Sequence, residues 1–231
     1  MQNTSERIGL VMKLFGFVLL LAVIAVLGTP GKDKKDKALE EETHKVARSA
    51  EEICPILIGD SVPELTLRTV DGKLFNLNKA LRNKPTVLIF YRGGWCPYCS
   101  KHLGQLQEIE AEIIKSGFQI IAVSPDRPAK LNESIDKHKM NYLLLSDSNM
   151  AGAKAFGIAY KLDDATIKKY DVYGIDLIGA SGEKHYSLPV PAVFVIGTDG
   201  IIKFEYVNPN YKVRLESNIL LSVVKEGQVR E

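Results

Sequence analysis

Two cysteines, Cys96 and Cys99, stand three residues apart in the run Trp95-Cys96-Pro97-Tyr98-Cys99, directly after the apolar segment Thr86 to Tyr91. Thiols at that spacing can exchange sulfur for sulfur, so thiol redox chemistry is the first function class to weigh. Downstream, Leu103, Leu106, Ile109 and Ile113 recur at helical spacing, which places the motif where a helix begins. There the free backbone N–H groups and the positive end of the helix dipole favour thiolate, lowering a cysteine from about 8.5 to roughly 3.5–7.5. Cys96, nearest the terminus, is therefore the better nucleophile. Pro97 suits the first helical turn, where a missing N–H costs nothing, and Cys99 lies one turn on, placed to resolve a bond formed at Cys96.

Zinc is the obvious rival. A structural zinc site needs four ligands, and the chain has only three cysteines and four scattered histidines. The chemistry calls for no metal and no cofactor. His102 could tune Cys99 or accept its proton, although a histidine on an amphipathic helix is more often a solvated residue. The third thiol, Cys54, sits beside Pro55 in the apolar run Ile53 to Ile58. It is a candidate second resolving cysteine if that arm folds over the turn, against the commoner fate of a buried structural thiol.

The 231 residues carry a formal charge of +2. With no basic stripe interleaved with aromatics, nucleic acid is not an expected partner. Residues 1–28 hold a strongly apolar stretch, Ile8 to Gly28, broken by Lys13. Its length lies between a signal-peptide core and a spanning helix, and an uncleaved membrane anchor is the favoured reading. Lys32, Lys34, Lys35 and Lys37 follow it, which by the loop-charge rule would hold the rest in the cytoplasm. An apolar leader ahead of one folded domain is nonetheless the usual layout of an exported or tethered protein, so the expectation is an extracytoplasmic domain. Residues 29–52 are rich in Lys, Glu and Asp and read as a solvated spacer, partly helical at most.

Residues 53–226 read as one domain. Glu64 to Val70 alternates toward Asp71-Gly72 and returns through Lys73 to Leu77, a hairpin pattern. Pro85 to Tyr91 suits a strand buried on both faces, Phe118 to Ser124 a second, and Tyr142 to Leu145 a third. Helical patterns cover Ala129 to Lys139 and Met150 to Phe156. This alternation predicts a βαβ core around a largely parallel central sheet. Gly157 to Leu188 shows no clear period. Ala192 to Ile196 and Gly200 to Val207 form a second hairpin about Asp199-Gly200, and Leu215 to Val224 a closing helix.

Taken together, Gly59-Asp60-Ser61-Val62-Pro63, the Asp71-Gly72 hairpin, Phe90 to Cys99 and Val190-Pro191-Ala192-Val193-Phe194-Val195 resemble the peroxiredoxin-like branch of the alkyl hydroperoxide reductase/thiol-specific antioxidant (AhpC/TSA) family. The likeness spans Ile53 to Val224. It implies a thioredoxin-like α/β fold with a central mixed sheet flanked by helices and an N-terminal β-hairpin. It also implies a hydroperoxide substrate and recharging by thioredoxin or a similar dithiol. By the same resemblance Pro191 takes the place of the thioredoxin-fold cis-proline beside the redox turn, its isomer left open and an ordinary strand-starting proline the alternative, and Trp95 shields the sulfur pair, with plain packing the alternative.

The chain departs from the family in one respect. Typical members carry Pro-X-X-X-Thr/Ser-X-X-Cys, whose hydroxyl acts with a separate arginine on the peroxide. Counted back from Cys99, those positions hold Cys96 and Arg92; counted back from Cys96, they hold Gly93 and Ile89. Neither register keeps the pattern, which leaves open which cysteine meets the peroxide. Arg92, at the end of the strand before the motif, and Arg214 are the candidates to polarise a peroxide or hold a thiolate, the alternative being ordinary exposed arginines. Three functions follow: a thiol peroxidase, a thiol–disulfide oxidoreductase acting on proteins, or a tethered domain with vestigial thiols. The intact Cys-Pro-Tyr-Cys argues against the last. The thiol spacing favours exchange and the breadth of the resemblance favours the peroxidase, which is the reading adopted.

Overall fold

The computed structural model describes residues 46–138 and 141–227. The apolar stretch Ile8 to Gly28 and most of the charged spacer lie outside these residues. Among those described, no helix is long and apolar enough to cross a membrane.

The strands are β1 (Thr66–Thr69), β2 (Leu74–Asn76), β3 (Thr86–Phe90), β4 (Gln119–Ser124), β5 (Leu143–Ser146), β6 (Ala159–Lys161), β7 (Ser187–Pro189), β8 (Ala192–Ile196) and β9 (Ile202–Val207). The helices are α1 (Leu77–Asn83), α2 (Pro97–Lys115), α3 (Pro128–His138), α4 (Ala151–Ala155), α5 (Asp164–Val172), α6 (Leu177–Ser181) and α7 (Ser217–Gly227). Seven strands form one sheet in the order β2-β1-β5-β4-β3-β8-β9, and β6 and β7 pair separately.

The central sheet is mixed, as the resemblance implies, which corrects the largely parallel sheet drawn from the alternation alone. Only β3–β4 and β4–β5 are parallel, while β1–β2, β1–β5, β3–β8 and β8–β9 are antiparallel, so the sheet is mixed rather than largely parallel. The cause is that helical crossovers join only β3 to β4 and β4 to β5, whereas hairpins supply the outer strands. The two faces carry separate cores. Leu88 and Phe90 face one, with Phe156 and Phe194, and Val87, Ile89 and Tyr91 face the other, with Leu103, Leu106 and Leu220. A strand buried on both sides needs the continuous apolar run that Thr86–Phe90 supplies, and all five of its residues are buried.

The region without a sequence period, Gly157 to Leu188, contains β6, α5, α6 and β7. Asp163 and Asp176 cap the two helices through Thr166 N and Gly179 N. Leu162, Tyr170 and Leu188 form a small third core there. At the N-terminal end Ala47 bridges Tyr160, with Ala47 N donating to Ala159 O at 2.9 Å, and a 3-10 turn follows at Ala50–Glu52. Val46 and Ala50 pack on the first core, so the charged stretch reaches the domain before residue 53.

Candidate active site

Because β3 and β4 are parallel neighbours, their C-terminal ends open on one edge of the sheet, where α/β folds place their sites. β3 leads through Tyr91 and Arg92 into the turn Gly93 to Cys96, and β4 leads to Asp126. Gly93 holds φ at 141°, and a β-carbon there would strike the Trp95 ring and the Asp126 carboxylate. One at Gly94 would strike the Ser134 hydroxyl. The paired glycines let the backbone pass between α3 and the tryptophan, and Asp126 fixes it by accepting from Gly94 N at 2.7 Å.

Cys96 is the N-cap of α2 and Pro97 its first helical residue, in the arrangement the spacing predicts. Both Cys96 and Cys99 are buried, and both are free thiols. Their titrations diverge. The Cys99 thiol donates to the Cys96 sulfur, and the charges of Arg92 and Arg214 and the Cys99 N–H add to that effect. Against the cost of burial they bring Cys96 down to about 6. Burial first, then the Cys96 sulfur it serves, pushes Cys99 well above the ordinary thiol value.

Arg92 is not an exposed strand-end arginine: it is 2% exposed. Its Nη1 lies 3.8 Å from Cys96 Sγ, its Nη2 donates to the Tyr170 hydroxyl, and its Nε has no partner among the described residues. Three rings surround the guanidinium, with centroids 4.0 Å away at Tyr211, 5.2 Å at Trp95 and 5.5 Å at Tyr170. Trp95 thus covers the arginine beside the thiols, with its ring tilted 57° to that of Tyr170 at 5.5 Å. Arg214 is half-buried, with Nη2 3.3 Å from Cys99 Sγ.

His102 is buried rather than solvated. Burial and the charge of Arg214 take it down to about 4, which keeps it neutral at physiological pH. With Pro191 and Arg214 it lines a small cavity. The described residues contain no cis peptide bond, so the Val190–Pro191 bond is trans, as at an ordinary strand-starting proline. There the chain passes from β7 to β8, with Val190 N donating to Ile158 O at 2.8 Å.

Cys54 is exposed, not a buried structural thiol. Its N–H donates to Gly157 O at 3.1 Å, its neighbours Ile53 and Ile56 pack on the opposite core, and no hydrogen bond links it to Cys96 or Cys99. No cluster of His, Cys, Asp or Glu able to hold a metal occurs among the described residues.

Sequence reasoning passed over Tyr170, Tyr211, Asp126 and Tyr160, whose hydroxyl hydrogen-bonds Arg92. Asp126 had a signal, since it follows a buried strand parallel to the one that delivers the thiols. Burial lifts its carboxyl to about 6. The tyrosines had none, because they come from the region without a period and from a loop more than a hundred residues past the motif. Beside Trp95 a cleft of about 430 Å³ opens between Asp126, Lys130 and Asp176.

The model of the AhpC/TSA family matches residues 58–205. Peroxiredoxin Bcp of Escherichia coli strain K12 is 27% identical over 172 residues, covering 74% of this chain and 97% of that protein. Chloroplastic peroxiredoxin Q of Oryza sativa subsp. japonica is 27% identical over 150 residues, 65% of this chain and 58% of the relative. In fold the chain is similar to the crystal structure of peroxidoxin BcpB from Mycobacterium tuberculosis, with a TM-score of 0.58 at 20% identity over 73% of this chain and 96% of that one.

Proposed function

Because the chain belongs to the AhpC/TSA family, we propose that it is a thiol peroxidase in which Cys96 attacks the hydroperoxide and Cys99 resolves the product. The observation that carries this reading is the Cys96 sulfur held as thiolate at a helix N-terminus beside the buried Arg92. The relatives named as peroxiredoxins support the same reaction class.

One proton comes from Cys99 and a second is drawn from solvent. The Cys96 thiolate attacks one peroxide oxygen, an S–O bond forms as the O–O bond breaks, and the departing alkoxide or hydroxide takes a proton to leave as alcohol or water. The Arg92 guanidinium, whose Nη1 lies 3.8 Å from Cys96 Sγ, supplies positive charge to the oxygen that gathers negative charge. Cys99 then attacks the sulfenic sulfur, closing a disulfide and releasing water that carries the Cys99 proton. A thioredoxin-type dithiol returns both thiols by exchange. Stopped-flow oxidation of the reduced chain by hydrogen peroxide and by cumene hydroperoxide tests the proposal. A second-order rate far above that of free cysteine is expected, and a rate no better than free cysteine sinks it.

A second reading, exchange with protein disulfides and no peroxide, is favoured by the complete Cys-Pro-Tyr-Cys and the missing hydroxyl-and-proline pattern. Turnover of a scrambled protein substrate without peroxide reactivity would select it.

We also infer that Ile8 to Gly28 tethers the protein to a membrane with the domain outside the cytoplasm, on the sequence argument alone. Alkaline extraction and protease accessibility in intact cells test this. Release by carbonate, or protection of the domain, counts against it.

A further inference from the structure

A guanidinium that is 2% exposed needs compensation, yet among the described residues no carboxylate forms an ion pair with Arg92. What faces it instead is aromatic. The ring faces of Tyr211 and Trp95 attract the cation but leave its plane free to turn. Hydroxyls are different, because an accepting oxygen is directional: Tyr160 also hydrogen-bonds the guanidinium, and Tyr170 holds its Nη2. The Tyr170 hydroxyl takes its hydrogen bond from Nη2, and since the guanidinium is a rigid fork, fixing Nη2 fixes where Nη1 points. Nη1 is the nitrogen 3.8 Å from Cys96 Sγ.

We propose that Tyr170 is a positioning residue of the redox centre: its hydroxyl orients Arg92 toward Cys96 and so sets how readily that sulfur becomes the nucleophile. This rests on the reading of Cys96 as the attacking thiol and extends it to a part of the fold outside the turn. Tyr170 is held where it can act. It is buried on α5 in the small core with Leu162 and Leu188, with Ile167 packed against them. Its ring meets that of Trp95. The charged and titratable groups facing Cys96 are Cys99, Arg92 and Arg214; Arg92 is further faced by Tyr160, which hydrogen-bonds it, and by Tyr211, with Glu51 beyond Tyr160.

The test follows alkylation of Cys96 by iodoacetamide between pH 4 and 10, with sites separated by mass spectrometry, in the full chain carrying Cys54→Ser. In the parent the rate should rise with a midpoint near 6. Tyr170→Phe, which keeps the ring and loses only the hydroxyl, should raise that midpoint so that the acid dissociation constant falls about tenfold. Tyr170→Met, which loses the hydroxyl by another route, should do the same. Tyr170→Phe added to Arg92→Lys should give no further shift, because the fork that the hydroxyl orients is already gone. A Tyr170→Phe midpoint equal to the parent's, in protein that melts normally, overturns the inference alone. Equal shifts with and without Arg92 overturn it too. A parent midpoint at the ordinary thiol value overturns the nucleophile reading and the inference with it.

Discussion

Each thiol of the redox turn has an arginine beside it, and the two pairs behave oppositely. Arg214 lies nearer its sulfur, 3.3 Å from Cys99, than Arg92 does at 3.8 Å from Cys96. Yet Cys99 is pushed up and Cys96 brought down to about 6. Nearness of a cation does not decide which sulfur ionises. Cys96 sits at the N-cap and receives both the S–H and the N–H of Cys99, whereas Cys99 gives its proton to that bond and burial disfavours its ionised form. The pair holds one negative charge and one proton, and the helix geometry assigns the charge to Cys96.

The largest break in this asymmetry is loss of the attacking sulfur. Cys96→Ser should lower the peroxide rate by about a thousandfold or more, read by stopped flow, since a serine hydroxyl is not ionised at neutral pH. Next comes the cation. Arg92→Met should return Cys96 toward the ordinary thiol range and cut its thiolate fraction at pH 7 by about tenfold, measured as an upward move of the alkylation midpoint. The same change at Arg214 should move that midpoint less and instead slow disulfide closure after oxidation, read as longer-lived sulfenic acid by dimedone trapping.

The sign of the pH dependence follows from Cys96 being lowered in the fold. The peroxide rate should be level above about pH 6 and fall about tenfold per unit below it. The stability that the thiolate contributes is present in full above the ordinary thiol value and lost as pH falls through about 6. Asp126 runs the other way. Its folded value is raised to about 6, so its protonated form favours folding below the unfolded value near 3.8, and that gain is lost as pH rises through about 6. Asp126→Asn should therefore stabilise the fold at pH 8 by up to about 3 kcal/mol by chemical denaturation, with little change at pH 4.

The turn itself was readable in the sequence because its signals are local: the Cys-Pro-Tyr-Cys spacing, the period of Leu103, Leu106 and Ile113, and the continuous apolar run at Thr86–Phe90. The surroundings of Arg92 were not. They arise from Tyr170 and Tyr211, brought in from distant segments, and Tyr170 rides on a nine-residue helix whose uneven charge hides its period. The same cause hid β6 and β7, which are three residues each. Burial of Arg92 is a property of the packed fold, so an arginine at a strand end looked ordinary until the rings that cover it were placed.

The central claim, that Cys96 is the attacking sulfur and Cys99 the resolving one, is tested most directly by oxidising reduced Cys96→Ser and Cys99→Ser with one equivalent of hydrogen peroxide and locating sulfenic acid by mass spectrometry. Fast oxidation of Cys99→Ser with sulfenic acid trapped on Cys96 is expected, along with a Cys96→Ser protein as slow as free cysteine. Sulfenic acid on Cys99 in the Cys96→Ser protein, formed at the rate of the unmodified chain, would contradict it.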